Sequence, residues 1–447
     1  MKLAVIGTGY VGLVSGVCLA SKGHNVTCVD IDSEKVRKIN SKISPIHEDG
    51  LPELLATVVE EGKFTATMKL WDALDNCDAV IVAVGTPSMN GKIDLTYLKQ
   101  VSREIGNYLK TKDRFLSIII KSTVLPSTTD TVVKHEIEMA SGKVFGNFGL
   151  GMNPEFLREG KAILDFNNPD RIVLGFEDAK TLEILEEIYA PWDVDKLKVN
   201  TRTAEMIKYS NNCLLALQIS AANELANLAS RVGGIDFMDV MRGVSLDKRW
   251  NPILANGLRA NPEILTYLVP GPGFGGSCFP KDVQAIRTQG ENLGLEMNIL
   301  NSVLRVNETQ PEQVGMILSN HFGNLKEKNI LILGLAFKPD TDDIRESASI
   351  KIIADLIRRG ANIFAHDPIA QENFAKLPFL DHSKITYPKS WKEQVVQSDA
   401  IILVTNWEEY RSLSSFDLKD KVLFDTRRLI NPQGLKGVKY FSIGRYI

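Results

Sequence analysis

The residues most able to do chemistry lie in one glycine-rich stretch, 271–282, which reads GPGFGGSCFPKD. Glycines let the backbone bend sharply and let a ligand approach it closely. Here they lead to Cys278, which is followed by Lys281 and Asp282. A cysteine is a nucleophile only as the thiolate, a form that a neighbouring cation such as Lys281 would favour. The pattern predicts a reactive thiol in a ligand-binding loop, and the competing interpretation is a turn with a cysteine packed in the core.

A charged loop at 151–160, GMNPEFLREG, is a second candidate. Two carboxylates and an arginine, Glu155, Glu159 and Arg158, surround an apolar pair. This composition suits a site that binds a polar molecule and does acid–base work. A solvated turn with a local ion pair is the alternative.

A lysine and an asparagine form a third candidate. Lys208 and Asn212 lie one turn apart on the same face of a predicted helix. Lysine is seldom buried without a purpose, which favours a role in the site. The alternative is a lysine at a helix edge that extends its amine to solvent.

The first thirty residues are typical of a dinucleotide site. A short apolar run is followed by GTGYVG and by an amphipathic stretch, which predicts strand, glycine turn and helix. Gly7 allows the tight turn, Gly9 admits a pyrophosphate and Gly12 lets helix and strand pack closely. The next strand ends at Asp30, where a carboxylate can bind ribose hydroxyls and repel a 2′-phosphate. The unit therefore predicts NAD as the cofactor.

Two more apolar runs, Asp78–Val84 and Phe115–Ile120, read as buried parallel strands. Ligands of open α/β sheets bind beyond the carboxyl ends of the strands. Thr86 and Thr123 follow these two runs and are therefore placed to meet a cofactor or a substrate. The alternative is that both hydroxyls cap the turns in which they lie.

A long helix and a second α/β unit make up much of the rest. Residues 204–229 are rich in Ala and Leu and apolar on more than one face, as in a helix buried at a domain or subunit junction. From Asn329, a strand, a turn, a helix and a strand leading to Asp367 repeat the order of the opening unit. After a later strand, Arg427 and Arg428 could meet phosphate or could be an exposed pair.

Length and composition exclude several classes of protein. A chain of 447 residues, 44% hydrophobic and 24% charged, is that of a soluble protein with more than one domain. A net charge of -3 gives no positive electrostatic field that would attract nucleic acid. Because no apolar run approaches a membrane span and no signal-peptide pattern opens the chain, we expect a cytoplasmic protein that binds neither nucleic acid nor membrane. Its five cysteines include no Cys-x-x-Cys pair, so neither a disulfide framework nor a metal site is expected.

These motifs together resemble the UDP-glucose/GDP-mannose dehydrogenase family over essentially the whole chain. The similar segments are GTGYVG at 7–12, the tripeptide Gly-Thr-Pro at 85–87, Ser-Thr at 122–123, NPEFL at 153–157, EMIKYSNN at 205–212, GGSCFPKD at 275–282 and FKPDTDDIRES at 337–347. Each motif alone is weak evidence, but their order and spacing together are highly specific.

The resemblance implies an α/β fold in which two Rossmann-like parallel-sheet domains are joined by a helical domain with one long central helix. It implies an NAD-binding domain at 1–195, a helical dimerisation domain that carries the cysteine loop at 196–310, and a UDP-sugar-binding domain at 311–447. A homodimer or a larger homo-oligomer is expected, with the long helix at its core.

The resemblance also implies the reaction, an NAD-dependent four-electron oxidation of the C6 alcohol of UDP-glucose to the carboxylate of UDP-glucuronate. Cys278 would hold the intermediates as a thiohemiacetal and then as a thioester. Lys208 with Asp282 would be the base for the first step. Lys208 and Asn212 would stabilise the oxyanions.

Further roles are implied by the same resemblance. Glu155 would activate the hydrolytic water, with Thr123 helping to place it. Contacts to NAD are expected from Gly7, Gly9, Tyr10, Val11, Gly12, Asp30, Lys35, Thr86, Thr123, Glu159 and Arg345. Contacts to the nucleotide sugar are expected from Glu155, Phe156, Leu157, Arg158, Lys208, Asn212, Arg249, Tyr267, Phe274, Gly275, Lys338 and Arg427.

One stretch departs from the family pattern. Many relatives carry Arg-Ile-Gly before the cysteine loop, with an arginine that reaches the substrate of the neighbouring subunit, but this chain reads NPEILTYL at 261–268. Arg249 or Arg259 could substitute, or the hexose could be that of a UDP-N-acetylhexosamine or GDP-mannose. The FGG at 274–276 favours UDP-glucose. The cofactor motifs would also fit a two-electron hydroxyacid-type dehydrogenase or an NAD-sensing scaffold without catalysis.

Overall fold

A computed structural model describes residues 1–89 and 91–445 of the chain. The chain divides into two compact units, Met1–Asn211 and Asn212–Ile447. The boundary falls within one long helix, which therefore contributes residues to both units. Each unit is built on its own sheet.

In the described part of the first unit, eight strands form one sheet. They are β1 (Lys2–Ile6), β2 (Asn25–Val29), β3 (Phe64–Thr67), β4 (Ala79–Val82), β7 (Ser117–Ile120), β8 (Gly149–Met152), β9 (Ile172–Phe176) and β10 (Lys196–Val199), while β5 (Ser88–Met89) and β6 (Lys92–Ile93) form a separate antiparallel pair. The order is β10-β9-β8-β7-β4-β1-β2-β3, and every pair is parallel except β8–β9. This is the doubly wound arrangement of a dinucleotide-binding fold.

Helices cover both faces of this sheet. They are α1 (Tyr10–Ser21), α2 (Ser33–Asn40), α3 (Leu51–Glu60), α4 (Leu70–Asp75), α5 (Thr96–Thr111), α6 (Lys134–Ser141), α7 (Ala162–Asn167) and α8 (Ala179–Ile188), with a π-helical turn at Thr128–Val133. Side chains alternate along β1, so Leu3 and Val5 enter one core and Ala4 and Ile6 the other. Burial on both faces explains why the strands read as continuous apolar runs.

The long helix predicted at 204–229 is confirmed as α9, Thr201–Val232, which has 32 residues and is about 48 Å long. Ala204, Ala216 and Ala226 are among its fully buried residues. Different turns of this long helix bury different faces. This explains why the sequence of the helix is apolar on more than one face.

The second unit contains a six-stranded sheet, all parallel, in the residues that the structure describes. Its strands are β11 (Asn329–Leu333), β12 (Asn362–His366), β13 (Ile385–Thr386), β14 (Ala400–Leu403), β15 (Val422–Asp425) and β16 (Lys439–Phe441), in the order β13-β12-β11-β14-β15-β16. Its helices are α10 (Phe237–Val244), α11 (Phe279–Asn292), α12 (Asn298–Thr309), α13 (Glu312–Phe322), α14 (Ala348–Arg358), α15 (Gln371–Phe374) and α16 (Gln394–Gln397), with 3-10 turns at Glu263–Leu268, His382–Lys384, Glu408–Ser415 and Pro432–Gly434. The α/β fold predicted from the sequence is confirmed.

The second unit repeats a detail of the first. Gly7 and Gly334 directly follow β1 and β11 and have φ of 97° and 100°, a region that favours glycine. The amide that follows Gly7 donates to Asp30, and the amide that follows Gly334 donates to Asp367, each at 2.8 Å. The repeat predicted from the sequence therefore extends to the turn and its aspartate.

Candidate active site

The turn between β1 and α1 leaves room for a phosphate. Gly9 precedes the first turn of α1, where no side chain caps the backbone amides and no acidic residue occurs. A Cβ atom at Gly9 would meet nothing within 4 Å, whereas one at Gly12 would lie 1.9 Å from the carbonyl oxygen of Gly7. The helix therefore starts close against the turn, with amides that no side chain caps and with open space at Gly9, which fits the pyrophosphate of a dinucleotide.

Asp30 lies beside this turn at the end of β2. Its carboxylate accepts hydrogen bonds from the amide (2.8 Å) and the hydroxyl of Thr8, and from the amide of Asp32 at 2.9 Å. Burial alone would raise the pKa of Asp30, but these hydrogen bonds and the charge of Lys35 lower it. An ionised carboxylate at this position fits the ribose of NAD and repels a 2′-phosphate.

A buried carboxylate that nothing in the sequence pattern indicated ties α1 to the charged loop. Glu48 is 2% exposed and accepts hydrogen bonds from the Tyr10 hydroxyl, the Gly160 amide (2.7 Å) and the Ala162 amide (2.6 Å). Burial and then Glu48 raise the pKa of Tyr10, so its hydroxyl stays protonated. Glu48 therefore fixes the first turn of α1 relative to the segment that contains Glu159.

Lys208 and Glu155 form a buried ion pair in the first unit. The Nζ atom of Lys208 donates to the carbonyl oxygen of Glu155 at 2.7 Å and to Oε1 at 2.8 Å. Burial alone would raise the pKa of Glu155, but the Lys208 charge and its hydrogen bond lower it. Lys208 is thus buried rather than extended to solvent, and its ammonium lies 5.4 Å from the ring of Phe156.

Arg158, in the same loop, has a different partner. Its guanidinium pairs with Asp165 at 2.8 Å, and its side chain is 46% exposed. Leu157 is held by its amide, which donates to the Glu155 carboxylate at 2.7 Å. The charged loop therefore contains both a buried ion pair and the local surface pair that the sequence left as an alternative.

The segment after β7 is held from two sides. The Thr86 hydroxyl donates to the carbonyl oxygen of Thr123 at 2.8 Å. The buried Nζ of Lys121 donates to Oδ1 of Asn153 at 2.7 Å, and burial lowers the pKa of Lys121 to about 8. The turn that carries Thr123 is thus tied to the loop that carries Glu155.

Cys278 stands at the start of α11 in the second unit. It is the exposed cysteine among the five, and it directly precedes the first helical residue. Its Sγ lies 3.6 Å from the Ser277 hydroxyl. Helix N-termini favour negative charge, which suits a thiolate. Burial and then the Asp282 charge raise the pKa of Cys213 to about 12, which keeps that buried thiol protonated.

Asp282 links the cysteine helix to α9. Its amide donates to the Cys278 carbonyl at 2.8 Å, which places the two residues one turn apart. The Asp282 side chain is 1% exposed and accepts hydrogen bonds from Asn212 at 2.7 Å and from Lys281. The cation that the sequence suggested beside Cys278 is therefore bound to Asp282.

The glycines of the loop are required by close packing. A Cβ atom at Gly275 would lie 2.2 Å from the carbonyl oxygen of Glu346, and one at Gly276 would lie 2.8 Å from the Phe337 ring. The Gly276 amide donates to the Arg345 carbonyl at 2.8 Å. The loop thus lies directly on the segment that carries Lys338 and Arg345.

Comparison with known proteins decides the family. A model of the NAD binding domain of the UDP-glucose/GDP-mannose dehydrogenase family matches residues 1–193, the central domain matches 202–309, and the UDP binding domain matches 331–432. The chain belongs to this family. It is 39% identical to UDP-glucose 6-dehydrogenase AglM of Haloferax volcanii, covering 99% of this chain and 100% of the relative, and 37% identical to UDP-glucose 6-dehydrogenase TuaD of Bacillus subtilis, covering 99% and 93%.

Solved structures of the family have the same fold. A UDP-glucose dehydrogenase from Pyrobaculum islandicum superimposes with a TM-score of 0.89 at 37% identity, covering 100% of this chain and 98% of the other. A UDP-D-ManNAc dehydrogenase from Pyrococcus horikoshii gives a TM-score of 0.82 at 25% identity, covering 100% and 99%. Membership makes the chain an NAD-dependent oxidoreductase with a UDP-sugar-binding domain, which confirms the predicted cofactor and enzyme class and excludes the non-catalytic scaffold.

The remaining residues expected from the family lie in varied settings. Arg427 is partly buried, donates through Nε to the Val404 carbonyl at 2.8 Å, and has its pKa lowered to about 10 by burial. Arg249 is 88% exposed at its side chain and pairs with Asp247 at 2.6 Å, and Arg345 pairs with Asp343 at 2.7 Å. Intermediate exposure is also found at Val11, Lys35, Glu159, Tyr267 and Lys338.

Among the described residues, no group of three His, Cys, Asp or Glu side chains is placed to hold a metal ion. Nor does any helix at 1–89 or 91–445 have the length and apolar character needed to cross a membrane.

Proposed function

We propose that the protein is a UDP-glucose 6-dehydrogenase, which oxidises the C6 alcohol of UDP-glucose to the carboxylate of UDP-glucuronate with two NAD and one water. The observation that carries the proposal is the cysteine helix: an exposed Cys278 at its N-terminus, with Asp282 one turn later bound to Asn212. The names of the relatives support UDP-glucose as the substrate.

NAD held at the β1–α1 turn and Asp30 would supply the hydride acceptor for both oxidations at C6. In the first oxidation, Asp282 and Lys208 act together as the base: the Asp282 carboxylate takes the C6 hydroxyl proton, and the Lys208 ammonium stabilises the negative charge that develops on the oxygen. The Cys278 thiolate then adds to the aldehyde carbon: a C–S bond forms, the C=O π bond breaks, and the oxygen takes the proton back from Asp282 to give the hydroxyl of a thiohemiacetal. The covalent bond keeps a reactive aldehyde on the enzyme between the two oxidations.

In the second oxidation the carbon loses a hydride and the thiohemiacetal hydroxyl gives its proton to Asp282, which leaves a thioester on Cys278 that water must hydrolyse. Glu155 is ionised and buried, as a base for this water requires, and we assign to Thr123 the placing of the water. The Lys208 ammonium and the Asn212 amide, one turn apart on α9, stabilise the oxyanion of the tetrahedral intermediate. Its collapse breaks the C–S bond and returns the thiolate.

The binding roles rest on the family motifs together with the settings described above. For NAD we propose Gly7, Gly9, Tyr10, Val11, Gly12, Asp30, Lys35, Thr86, Thr123, Glu159 and Arg345. For the nucleotide sugar we propose Glu155, Phe156, Leu157, Arg158, Lys208, Asn212, Arg249, Tyr267, Phe274, Gly275, Lys338 and Arg427. The same chemistry on a UDP-N-acetylhexosamine or on GDP-mannose is the alternative, because 261–268 departs from the family pattern.

The domain boundaries at 195 and 310, a cytoplasmic location and a homodimer centred on α9 stay proposals. The dimer is supported by a row of exposed apolar side chains on α9, at Leu214, Leu225, Leu228 and Val232. Spacings of three, four and eleven residues place this row on one face of the helix.

The proposal is tested by counting NADH per sugar nucleotide for the wild type, for Cys278→Ser and for Cys213→Ala, a control at a buried cysteine. UDP-glucose is compared with GDP-mannose and UDP-N-acetylglucosamine. We expect two NADH per UDP-glucose from the wild type and the control, and little product acid from Cys278→Ser, because a serine hydroxyl is a far poorer nucleophile than a thiolate. One NADH per sugar, or an active serine variant, would contradict the covalent route, and turnover of another sugar alone would contradict the substrate.

A further inference from the structure

Three carboxamide side chains bind the backbone of the glycine-rich loop before Cys278. The Gly271 amide donates to Oδ1 of Asn223 at 2.8 Å, and its carbonyl accepts from Nε2 of Gln310 at 2.9 Å. The Phe274 amide donates to Oδ1 of Asn307 at 2.7 Å, and its carbonyl accepts from Nδ2 of the same side chain at 3.0 Å. Both backbone polar groups of these two loop residues are therefore paired with an amide.

The loop needs such hydrogen-bond partners because its glycine-rich sequence cannot hold the backbone in one conformation. Four of the six residues at 271–276 are glycine, which loses more conformational freedom on ordering than any other residue and offers no side chain for packing. A carboxamide carries one acceptor and two donors, so it can take the place of a neighbouring strand.

Asn307 reaches the backbone because Gly273 lacks a side chain. Gly273 has φ of 101°, and a Cβ atom there would lie 2.7 Å from Oδ1 of Asn307. Asn307 comes from α12, near its carboxyl end, and the Phe274 ring that it positions packs edge-on against Phe279, with ring centroids 6.0 Å apart. One side chain thus fixes the middle of the loop, and the aromatic contact carries this constraint to the residue after Cys278.

We propose that Asn307 is a positioning residue for the nucleotide sugar, which it serves by holding the Phe274 backbone in the conformation that binds the substrate. This inference rests on the proposed function, in which Phe274 and Gly275 contact the UDP-sugar. A loop that is already ordered loses less entropy when the ligand binds. Loss of Asn307 therefore weakens sugar-nucleotide binding, leaves NAD binding unchanged and has a smaller effect on the chemical steps.

The test compares Asn307→Leu, which removes both hydrogen bonds, and Asn307→Asp, which keeps an acceptor for the Phe274 amide and loses the donor. Asn298→Leu is the matched control, since Asn298 is exposed on the same helix and binds Glu296. We expect KM for UDP-glucose to rise about tenfold or more in Asn307→Leu and less in Asn307→Asp. KM for NAD should stay within about twofold and kcat within about threefold of the wild type.

Two further measurements test the role of Asn307 without requiring that the enzyme turn over its substrate. Hydrogen exchange of the Phe274 amide should accelerate in Asn307→Leu and not in Asn298→Leu, and titration with UDP should show weaker binding in Asn307→Leu. If the wild type fails to oxidise UDP-glucose, the proposed function fails, and exchange and UDP binding still decide the role of Asn307. Unchanged exchange, faster exchange with unchanged UDP binding and KM, or equal rises in KM for both substrates would each overturn the positioning role.

Discussion

The ammonium group of Lys208 donates to two oxygens of a single residue, the carbonyl oxygen and Oε1 of Glu155, at 2.7 and 2.8 Å. Both side chains are almost fully buried, with exposed fractions of 5% and 7%. Each charge is therefore tolerated in the core because the other one is present. The pair also fixes the protonation state of the base proposed for hydrolysis, since Lys208 keeps Glu155 ionised.

The first prediction concerns the stability of this pair. In Lys208→Met the Glu155 carboxylate is left buried without its charge partner, so we expect the free energy of unfolding at pH 7 to fall by about 3 to 5 kcal/mol. Arg158→Met, which breaks the exposed pair with Asp165, should cost less than about 1 kcal/mol. Urea unfolding of both variants measures the difference.

The same variant has a defined pH dependence. In the wild type the pKa of Glu155 is lowered, so the stability that the group contributes is present above its unfolded pKa and is lost as pH falls. Without Lys208, the Leu157 amide and the Lys121 charge still lower that pKa, but burial, the largest influence, raises it. We therefore expect the Glu155 contribution to stability in the variant to decrease, not increase, as pH rises. The gap in stability between wild type and Lys208→Met should therefore widen from pH 4 to pH 7. A gap that is constant with pH, or equal costs for Lys208→Met and Arg158→Met, would contradict the assignment.

Much of the fold was predictable because its strands are buried on both faces. The apolar run before GTGYVG, the next strand that leads to Asp30 and the strand that starts at Asn329 are all found in the structure, as Lys2–Ile6, Asn25–Val29 and Asn329–Leu333. The edge strand Lys196–Val199 was not predicted, because half of its residues are exposed lysine and leucine in a polar context. Nothing in the sequence indicated that β9 runs antiparallel to β8, since pairing direction depends on the connection rather than on strand composition.

Residue types indicated the candidate site, whereas its pairings came only from the structure. Cys278, Lys208 and Glu155 stood out by their chemistry, but Lys208 and Glu155 are separated by 53 residues. Asn212 and Asp282 are separated by 70 residues. Such contacts depend on how the elements pack, so local patterns cannot specify them. Supporting groups such as Glu48 belong to no motif and could not be found in advance.

The second prediction concerns Glu205, a fully buried carboxylate on α9. It accepts hydrogen bonds from the amides of Ser127 (2.7 Å) and Thr129 (2.9 Å), which lie at the start of the π-helical turn. Burial raises the pKa of Glu205 from 4.5 to about 7. The folded state therefore holds a proton that the unfolded state releases, and the stability contributed by Glu205 is present below pH 4.5 and lost as pH rises to 7.

A shift of this size corresponds to roughly 3 kcal/mol. We expect wild-type stability to decline between pH 4.5 and pH 7 relative to Glu205→Gln, which has no titrating group at this position, and the two profiles to become parallel well above pH 7, where Glu205 is ionised in the folded state too. Glu224→Gln, at an exposed position of the same helix, is the control and should follow the wild type. Chemical unfolding at half-unit pH intervals gives the profiles, and parallel curves over the whole range would show that Glu205 does not titrate there.

The third prediction concerns the proposed dimer. Leu225 and Leu228 are 53% and 60% exposed on the apolar row of α9. If this row forms a two-fold interface, a carboxylate placed on it is buried twice, once from each subunit, and lacks a partner. Leu225→Glu and Leu228→Glu should therefore shift the protein from dimer to monomer, measured as the mass by light scattering after size-exclusion chromatography.

A control substitution at a leucine outside α9 distinguishes this effect from a general loss of apolar surface. Leu293 is 74% exposed, at the end of α11 and outside the row on α9, so Leu293→Glu should keep the wild-type mass. The interface would then be assigned to one helix face, because the same change in charge has an effect only there. A wild type that is monomeric, or α9 variants that keep the wild-type mass while Leu293→Glu loses it, would place the interface elsewhere or exclude it.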